Sequence, residues 1–449
     1  MTEMKKNVRE IALDILESIE RNQSYSNLLL NSKLQKYQLK SVDSGLLTEV
    51  TYGTIQRKIT LDYYLQPFIK NQKKTLSWVI NLLRLSLYQM IYLDKVPDHA
   101  IIFEAVEIAK KRGHKGISSM VNGVLRSIQR QGLPSFDSIR NEVERLSIET
   151  SHPKWLVERW LEQFGYDKTK EMCEINLTAP PQTARVNLKK ISRDELISAL
   201  TEEGYHVEIS KIVPEAIHCF RGNLAHSESY QLGYLTIQDE SSMLVAHALG
   251  ASGNDMVLDC CAAPGGKTTH IAEGLTTGQV TALDLHEHKV KLIKEQATRL
   301  GLRNIKTYVS DSRKAHELFH KEGFNRILVD APCSGLGVMR RKPDVKYTKS
   351  EEDISRLSSI QEQLLNAAAP LLKQGDRLIY STCTVDKEEN DLVAAAFLEN
   401  HADFEADLTL IDRMPEAVRP FIVGNSIQVF PQYFGSDGFF IASFRKKVQ

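Results

Sequence analysis

From about residue 240 onward, short apolar runs alternate with stretches patterned as helices. The runs are Met256-Val257-Leu258, Gln279-Val280-Thr281-Ala282-Leu283, Lys306-Thr307-Tyr308-Val309, Arg326-Ile327-Leu328-Val329 and Arg377-Leu378-Ile379-Tyr380, with helical stretches notably over 286–300 and 352–373. Runs this short read as buried strands, and their alternation with helices predicts a doubly wound, Rossmann-like α/β sheet over 236–449. Such sheets bind ligands beyond the carboxyl ends of their strands. Several of the chain's reactive side chains stand at those ends: Asp284, Asp311, Asp330 with Cys333, and Cys383.

The chain has 449 residues, too many for one ordinary core, so two or three domains are expected. From residue 8 to about 130 the apolar residues recur at helical spacing, as in Val8, Ile11, Ala12, Ile15, Leu16 and Ile19, which predicts an all-helical domain over 1–130. The chain is neutral overall, yet residues 1–130 hold 20 Lys and Arg against 12 Asp and Glu. A basic module suits a polyanionic partner, although solvated lysines on a helical surface give the same count. The stretches Ala105-Val106-Glu107-Ile108-Ala109-Lys110-Lys111-Arg112-Gly113 and Val121-Asn122-Gly123-Val124-Leu125-Arg126 resemble the NusB family of RNA-binding helical domains. A polar linker with Gly132, Pro134, Ser135 and Asp137 follows, and 145–235 mixes helical and alternating patterns, which predicts a small α+β RNA-binding module. On its strand-like run Thr183-Ala184-Arg185-Val186-Asn187-Leu188, Arg185 and Asn187 are candidate RNA contacts, with solvated edge-strand residues as the competing reading.

The amino terminus has no apolar signal core, and no stretch of about 18 uninterrupted apolar residues follows, so a cytoplasmic protein without a membrane segment is expected. None of the six cysteines forms a C-x-x-C pair and the histidines lack ligand spacing, so no metal is expected and thiol chemistry is either catalytic or absent.

Directly after Leu258-Asp259 come Cys260-Cys261-Ala262-Ala263-Pro264-Gly265-Gly266-Lys267-Thr268 and a helical stretch. Small residues let a ligand approach the backbone, and a helix amino terminus receives an anionic group. A P-loop requires glycine where Cys261 stands, and the dinucleotide pattern G-x-G-x-x-G is absent from this turn. Asp284 and Asp311, at the next two strand ends, each alone read more readily as a strand-end cap or surface residue, but together they suit the hydroxyls and base of an adenosyl group.

Taken together, the loop 258–268, Asp284, Asp311, Asp330-Ala331-Pro332-Cys333-Ser334-Gly335 and Ser381-Thr382-Cys383 resemble the Sun-type RNA cytosine-C5 methyltransferases. Ala184-Arg185-Val186-Asn187, Gln238-Asp239-Glu240-Ser241-Ser242 and Ser436-Asp437-Gly438-Phe439-Phe440 extend the resemblance over nearly the whole chain. It implies S-adenosyl-L-methionine as cofactor, held by Cys261, Ala262, Ala263, Pro264, Gly265, Gly266, Lys267, Asp284, Asp311 and Asp330. It also implies 16S ribosomal RNA, unassembled or early in assembly, as partner, and a multi-domain chain of this size is expected to work as a monomer. Amino-methyltransferases carry Asp/Asn-Pro-Pro-aromatic where this chain has Asp-Ala-Pro-Cys, so transfer to an exocyclic amine is not expected.

Cytosine C5 is a weak nucleophile until a thiolate adds at C6, which demands a reactive cysteine, an acid at N3 and a way to expel the thiol afterwards. The resemblance assigns Cys383 as nucleophile, Asp330 to the N3 edge and Cys333 to product release. Asp386, Glu388 and Glu389 read as opening a helix after Cys383, whose amino terminus would favour a thiolate while the carboxylates oppose it. Arg340, Arg341 and Lys342 form a basic stretch suited to RNA phosphates, with a solvated surface loop as the alternative. The catalytic motifs leave a transfer RNA substrate open, and a non-catalytic RNA-binding assembly factor is the reading from another class.

Overall fold

The computed structural model describes residues 7–22, 26–70 and 74–448. The chain divides into two compact units, one comprising residues up to Thr178 together with Met339–Thr348, the other Ala179–Val338 and Lys349 onward. The division falls after Thr178, later in the chain than the expected start of a middle module at 145.

In the first unit every regular element is helical. The helix Ser77–Tyr92 is buried continuously from Val79 to Gln89, because apolar residues occupy nearly all its faces. Around it pack Ile11 and Ile15 of the helix Val8–Asn22, Leu47 of Ser41–Gln56, Leu61 of Lys58–Leu65 and Leu125 of Lys115–Gln131. Several charged residues are paired inside this unit: Arg84 with Glu20 and Asp62, Lys111 with Glu10, and Arg112 with Asp14 and Glu17. Met339–Thr348 is held by buried polar contacts. Ser26 donates to Asp344, and the fully buried Lys346 Nζ donates to the Gln56 carbonyl at 2.8 Å. Burial pushes the Lys346 ammonium well below its ordinary range.

The second unit holds two sheets. The smaller contains β1 (Gln182–Val186), β2 (His206–Ile209), β3 (Ala216–Arg221) and β4 (Leu235–Ile237), all antiparallel in the order β2-β3-β1-β4. The helix Arg193–Glu202, started by a Ser192/Glu195 capping box, contributes Leu196 and Leu200 to a core with Ala184, Val186 and Ile217 of the sheet.

The larger sheet is built from β5 (Met256–Asp259), β6 (Gln279–Asp284), β7 (Ile305–Val309), β8 (Phe324–Asp330), β9 (Leu372–Thr382), β10 (Phe404–Ala406), β11 (Ile422–Val423), β12 (Ser426–Val429) and β13 (Phe439–Lys446). Its order is β11-β12-β13-β9-β8-β5-β6-β7, with β10 on β13. The five strands β5 to β9 are parallel, as the apolar runs predict; the edge strand β7 is largely exposed, while the central strands are buried on both faces. Leu258, Ile327 and Leu378 join one core, and their neighbours Val257, Leu328 and Ile379 join the other. The antiparallel addition β10 to β13 makes the sheet mixed and is not visible in the alternation. No helix among the described residues is long and apolar enough to cross a membrane.

Arg185 and Asn187 require a correction. Both are buried, Arg185 being 1 % exposed and Asn187 2 %. The Arg185 guanidinium donates to both Glu273 oxygens (3.2 and 2.9 Å), to Gln238 Oε1, to the Gly266 carbonyl (3.0 Å) and to Thr269 Oγ1 (3.3 Å). Asn187 donates to the Gly233 carbonyl and accepts from the Lys189 amide. These side chains turn inward because their strand face is covered, so they brace the fold instead of meeting RNA. Removing one partner of a buried ion pair strands the other. Arg185→Ala should therefore lower unfolding free energy by about 3–5 kcal/mol in denaturant titration. Weaker RNA binding with undiminished stability would return Arg185 to an RNA-contact role.

Candidate active site

Parallel pairing of β8 with β9 sets Asp330 beside Ser381, and Ser381 Oγ donates to Asp330 Oδ1 at 2.8 Å. The ladder continues one step further, the Ala331 amide donating to the Ser381 carbonyl at 2.9 Å. Three residues past Asp330 and two past Ser381, the sulfurs of Cys333 and Cys383 meet at 3.3 Å, both residues half-buried. Contact with Cys383, followed by burial, pushes the Cys333 thiol well up. The two motifs lie 50 residues apart in the chain, and the pairing of their strands unites them.

A third loop closes on the same point. The Gly337 amide donates to the Cys383 carbonyl at 3.0 Å, and the Gly438 amide donates to the Gly337 carbonyl at 2.8 Å. A Cβ on Gly337 would stand 2.0 Å from the Gly438 oxygen, so only glycine permits this backbone contact. Gly438 reaches it because β13 runs antiparallel to β9, with Phe440 opposite Thr382.

Beside the thiols lies a cavity of about 240 Å³, lined among others by Asp259, Cys261, Gly266, Lys267, Asp330 and Cys383. Ala262, Ala263 and Pro264 also face it, and Gly265, at φ 106°, starts the helix Gly266–Gly274. The sequence-predicted loop thus forms one wall. Lys267 Nζ donates to Asp330 Oδ2 at 2.8 Å and stands 5.0 Å from the centre of the Phe439 ring. Burial opposes the Lys267 charge, but Asp330 outweighs it and holds the ammonium above its ordinary range. Asp284, at the end of β6, accepts from the amides of Ala263 and His286. Asp311 caps the short turn Ser312–Glu317 and pairs with Arg313 at 2.6 Å. Burial pushes the thiols of Cys260 and Cys261 up, leaving both poor nucleophiles.

Two expectations change. Thr384–Asn390 is a loop and the next helix is Asp391–Asn400, so no helix amino terminus stands at Cys383. Glu389 turns inward, where it is fully buried. Arg340 donates to the carbonyl and hydroxyl of Thr178 (3.2 and 3.0 Å) within the first unit, while Lys342 is exposed.

Asp259 escaped the sequence reading. It ends β5, is 1 % exposed, and accepts from Thr268 Oγ1 at 2.6 Å through Oδ2, while its Oδ1 has no hydrogen-bond partner. Its position at a strand end directly before the glycine-bearing loop was the available signal. A roomier cavity of about 670 Å³ in the first unit is lined by ion-paired groups such as Glu20, Lys58 and Arg84, with no cysteine in its wall. Among the described residues no group of three His, Cys, Asp or Glu side chains is arranged to hold a metal ion.

Burial, reinforced by Asp330, raises the Asp259 carboxyl from 3.8 to about 7. Below 3.8 the group is protonated in both folded and unfolded chains, and between 3.8 and about 7 only the unfolded chain releases the proton. Stability should therefore fall as pH rises through that window. Denaturant titrations of the wild type against Asp259→Asn should show the wild type losing ground across it, and a flat difference would mean that Asp259 ionises normally.

The family described as 16S rRNA methyltransferase RsmB/F matches residues 246–445, the NusB family residues 6–130, and a ferredoxin-like domain of RsmF/B-like methyltransferases residues 152–221. The chain is 56% identical over 444 residues to the probable ribosomal RNA small subunit methyltransferase B of Bacillus subtilis (strain 168), covering 99% of each. It superposes on the crystal structure of PH0851 with a TM-score of 0.82 at 26% identity, covering 99% of this chain and 100% of that one. NSun6 from Pyrococcus horikoshii, crystallised with SFG, gives a TM-score of 0.58 at 24% identity, over 66% of this chain and 99% of its own, a likeness of fold.

Proposed function

The chain belongs to the ribosomal RNA small subunit methyltransferase B family, and from that premise we propose that it methylates C5 of one cytosine in 16S ribosomal RNA through a covalent bond from Cys383 to the base. It is an RNA methyltransferase and uses S-adenosyl-L-methionine. The residues present fit that cofactor. The loop 261–267 allows close backbone approach, and Asp259, whose Oδ1 has no hydrogen-bond partner, is among the residues lining the cavity. When bound, the cofactor supplies an electrophilic methyl group.

The observation that carries the reading is the thiol pair at 3.3 Å, of which Cys383 lines this cavity, next to the Lys267–Asp330–Ser381 chain. Cys383, as thiolate, adds to C6 and makes C5 enamine-like. Asp330, held from both sides by Lys267 and Ser381, meets the N3 edge, and the proton that N3 takes up comes from the Lys267 ammonium through Asp330. After methylation the C5 proton passes to the Cys333 sulfur as that thiol gives its own proton to the departing Cys383 sulfur. The C5–H pair forms the C5–C6 double bond, the C6–S pair returns to Cys383, and the N3 proton goes back through Asp330 to Lys267. Arg340, Arg341 and Lys342 are proposed phosphate contacts.

Transfer of labelled methyl to deproteinised 16S RNA, mapped by bisulfite sequencing and run beside transfer RNA, tests substrate and atom together. Label at a 16S cytosine is expected; label only in transfer RNA would overturn the ribosomal assignment. Cys383→Ala should abolish both methylation and adduct formation. Cys333→Ala should accumulate a denaturation-resistant protein–RNA adduct, and the opposite pattern would exchange the two roles.

A further inference from the structure

Cys383 continues directly from β9, which is hydrogen-bonded between β8 and β13, so the sheet itself positions that thiol. Cys333 stands in a loop, and the contacts on either side of it converge on one buried carboxylate. The Glu389 Oε1 accepts from the Ser334 amide at 2.8 Å and from Gln361 Nε2 at 3.0 Å, and Oε2 accepts from the Ser334 hydroxyl. Gln361 also donates to the Pro332 carbonyl at 3.0 Å. Thr384 Oγ1 lies 2.8 Å from Ser334 Oγ, and the Tyr380 hydroxyl donates to the Glu389 carbonyl. All three donors to the carboxylate suit its ionised form, although burial raises its pKa.

We propose that Glu389 is a positioning residue that holds Cys333 against Cys383, and thereby governs release of the methylated base more than attack on it. The part concerning release rests on the reading of Cys333 given above.

Two readouts on the full chain test it. The first uses no RNA: diamide takes up the two hydrogens as it oxidises two thiols to a disulfide, and mass spectrometry follows the Cys333–Cys383 link. Glu389→Ala should slow this link, and should slow turnover by about 10²-fold, the cost of roughly 1 Å of misplacement. The second readout is the covalent adduct, which Glu389→Ala should still form but retain. Glu389→Gln keeps an oxygen for Ser334 and Gln361 and should recover most of both rates. If Glu389→Ala fails to fold by circular dichroism, Gln361→Leu, which frees the Pro332 side of the loop, should slow the link in the same direction. Wild-type linking in a folded Glu389→Ala would overturn the proposal, as would equal losses of adduct formation and release with no recovery in Glu389→Gln. Absence of adduct in Cys333→Ala would instead remove the release reading, and the linking rates would still decide whether Glu389 positions the thiols.

Discussion

The register of β8 against β9 is the constraint on which the site depends. With Asp330 opposite Ser381, the chain beyond each strand needs only two or three residues to bring a thiol to the same place. In a two-residue pleat, slipping one strand by a single position would turn Asp330 away from Ser381 and exchange the residues facing the two cores. Both cores oppose that slip, since Ile327 and Leu378 belong to one and Leu328 and Ile379 to the other. Antiparallel β13 secures the far side of β9 and brings Gly438 and Phe439 to the thiols and to Lys267. The chemistry is thus placed by hydrophobic burial acting through strand register.

Around this frame the buried polar groups divide into two kinds. The Arg185 guanidinium and the Glu389 carboxylate are each held by several protein hydrogen bonds, and such groups stiffen what they join. One ties β1 to the helix that begins at the cofactor loop; the other ties the two cysteine loops together. Asp259, one of the residues lining the cavity, is different, because Thr268 donates to one of its carboxylate oxygens while the other has no hydrogen-bond partner. An incomplete acceptor is costly in a fold and useful in a binding site, where a ligand completes it.

The parallel strands, the helices between them, the cofactor loop and the strand-end positions of Asp330, Cys333 and Cys383 were determined by the sequence alone, because each is written in local periodicity or in a short contiguous motif. Other features depend on residues far apart in the chain. Arg185 read as a candidate RNA contact until Glu273, Gln238 and Gly266 were brought to it, and nothing in its strand reveals that its face is covered. Glu389 read as part of a helix start, yet Ser334 and Gln361 draw it into a buried loop. Met339–Thr348 read as a continuous part of the second unit, although its buried Lys346 and Asp344 bond within the first. Periodicity specifies which residues are buried and in what kind of element. Only tertiary structure decides what they are buried against, because strand neighbours and polar partners are chosen by non-local pairing that no short window of sequence contains.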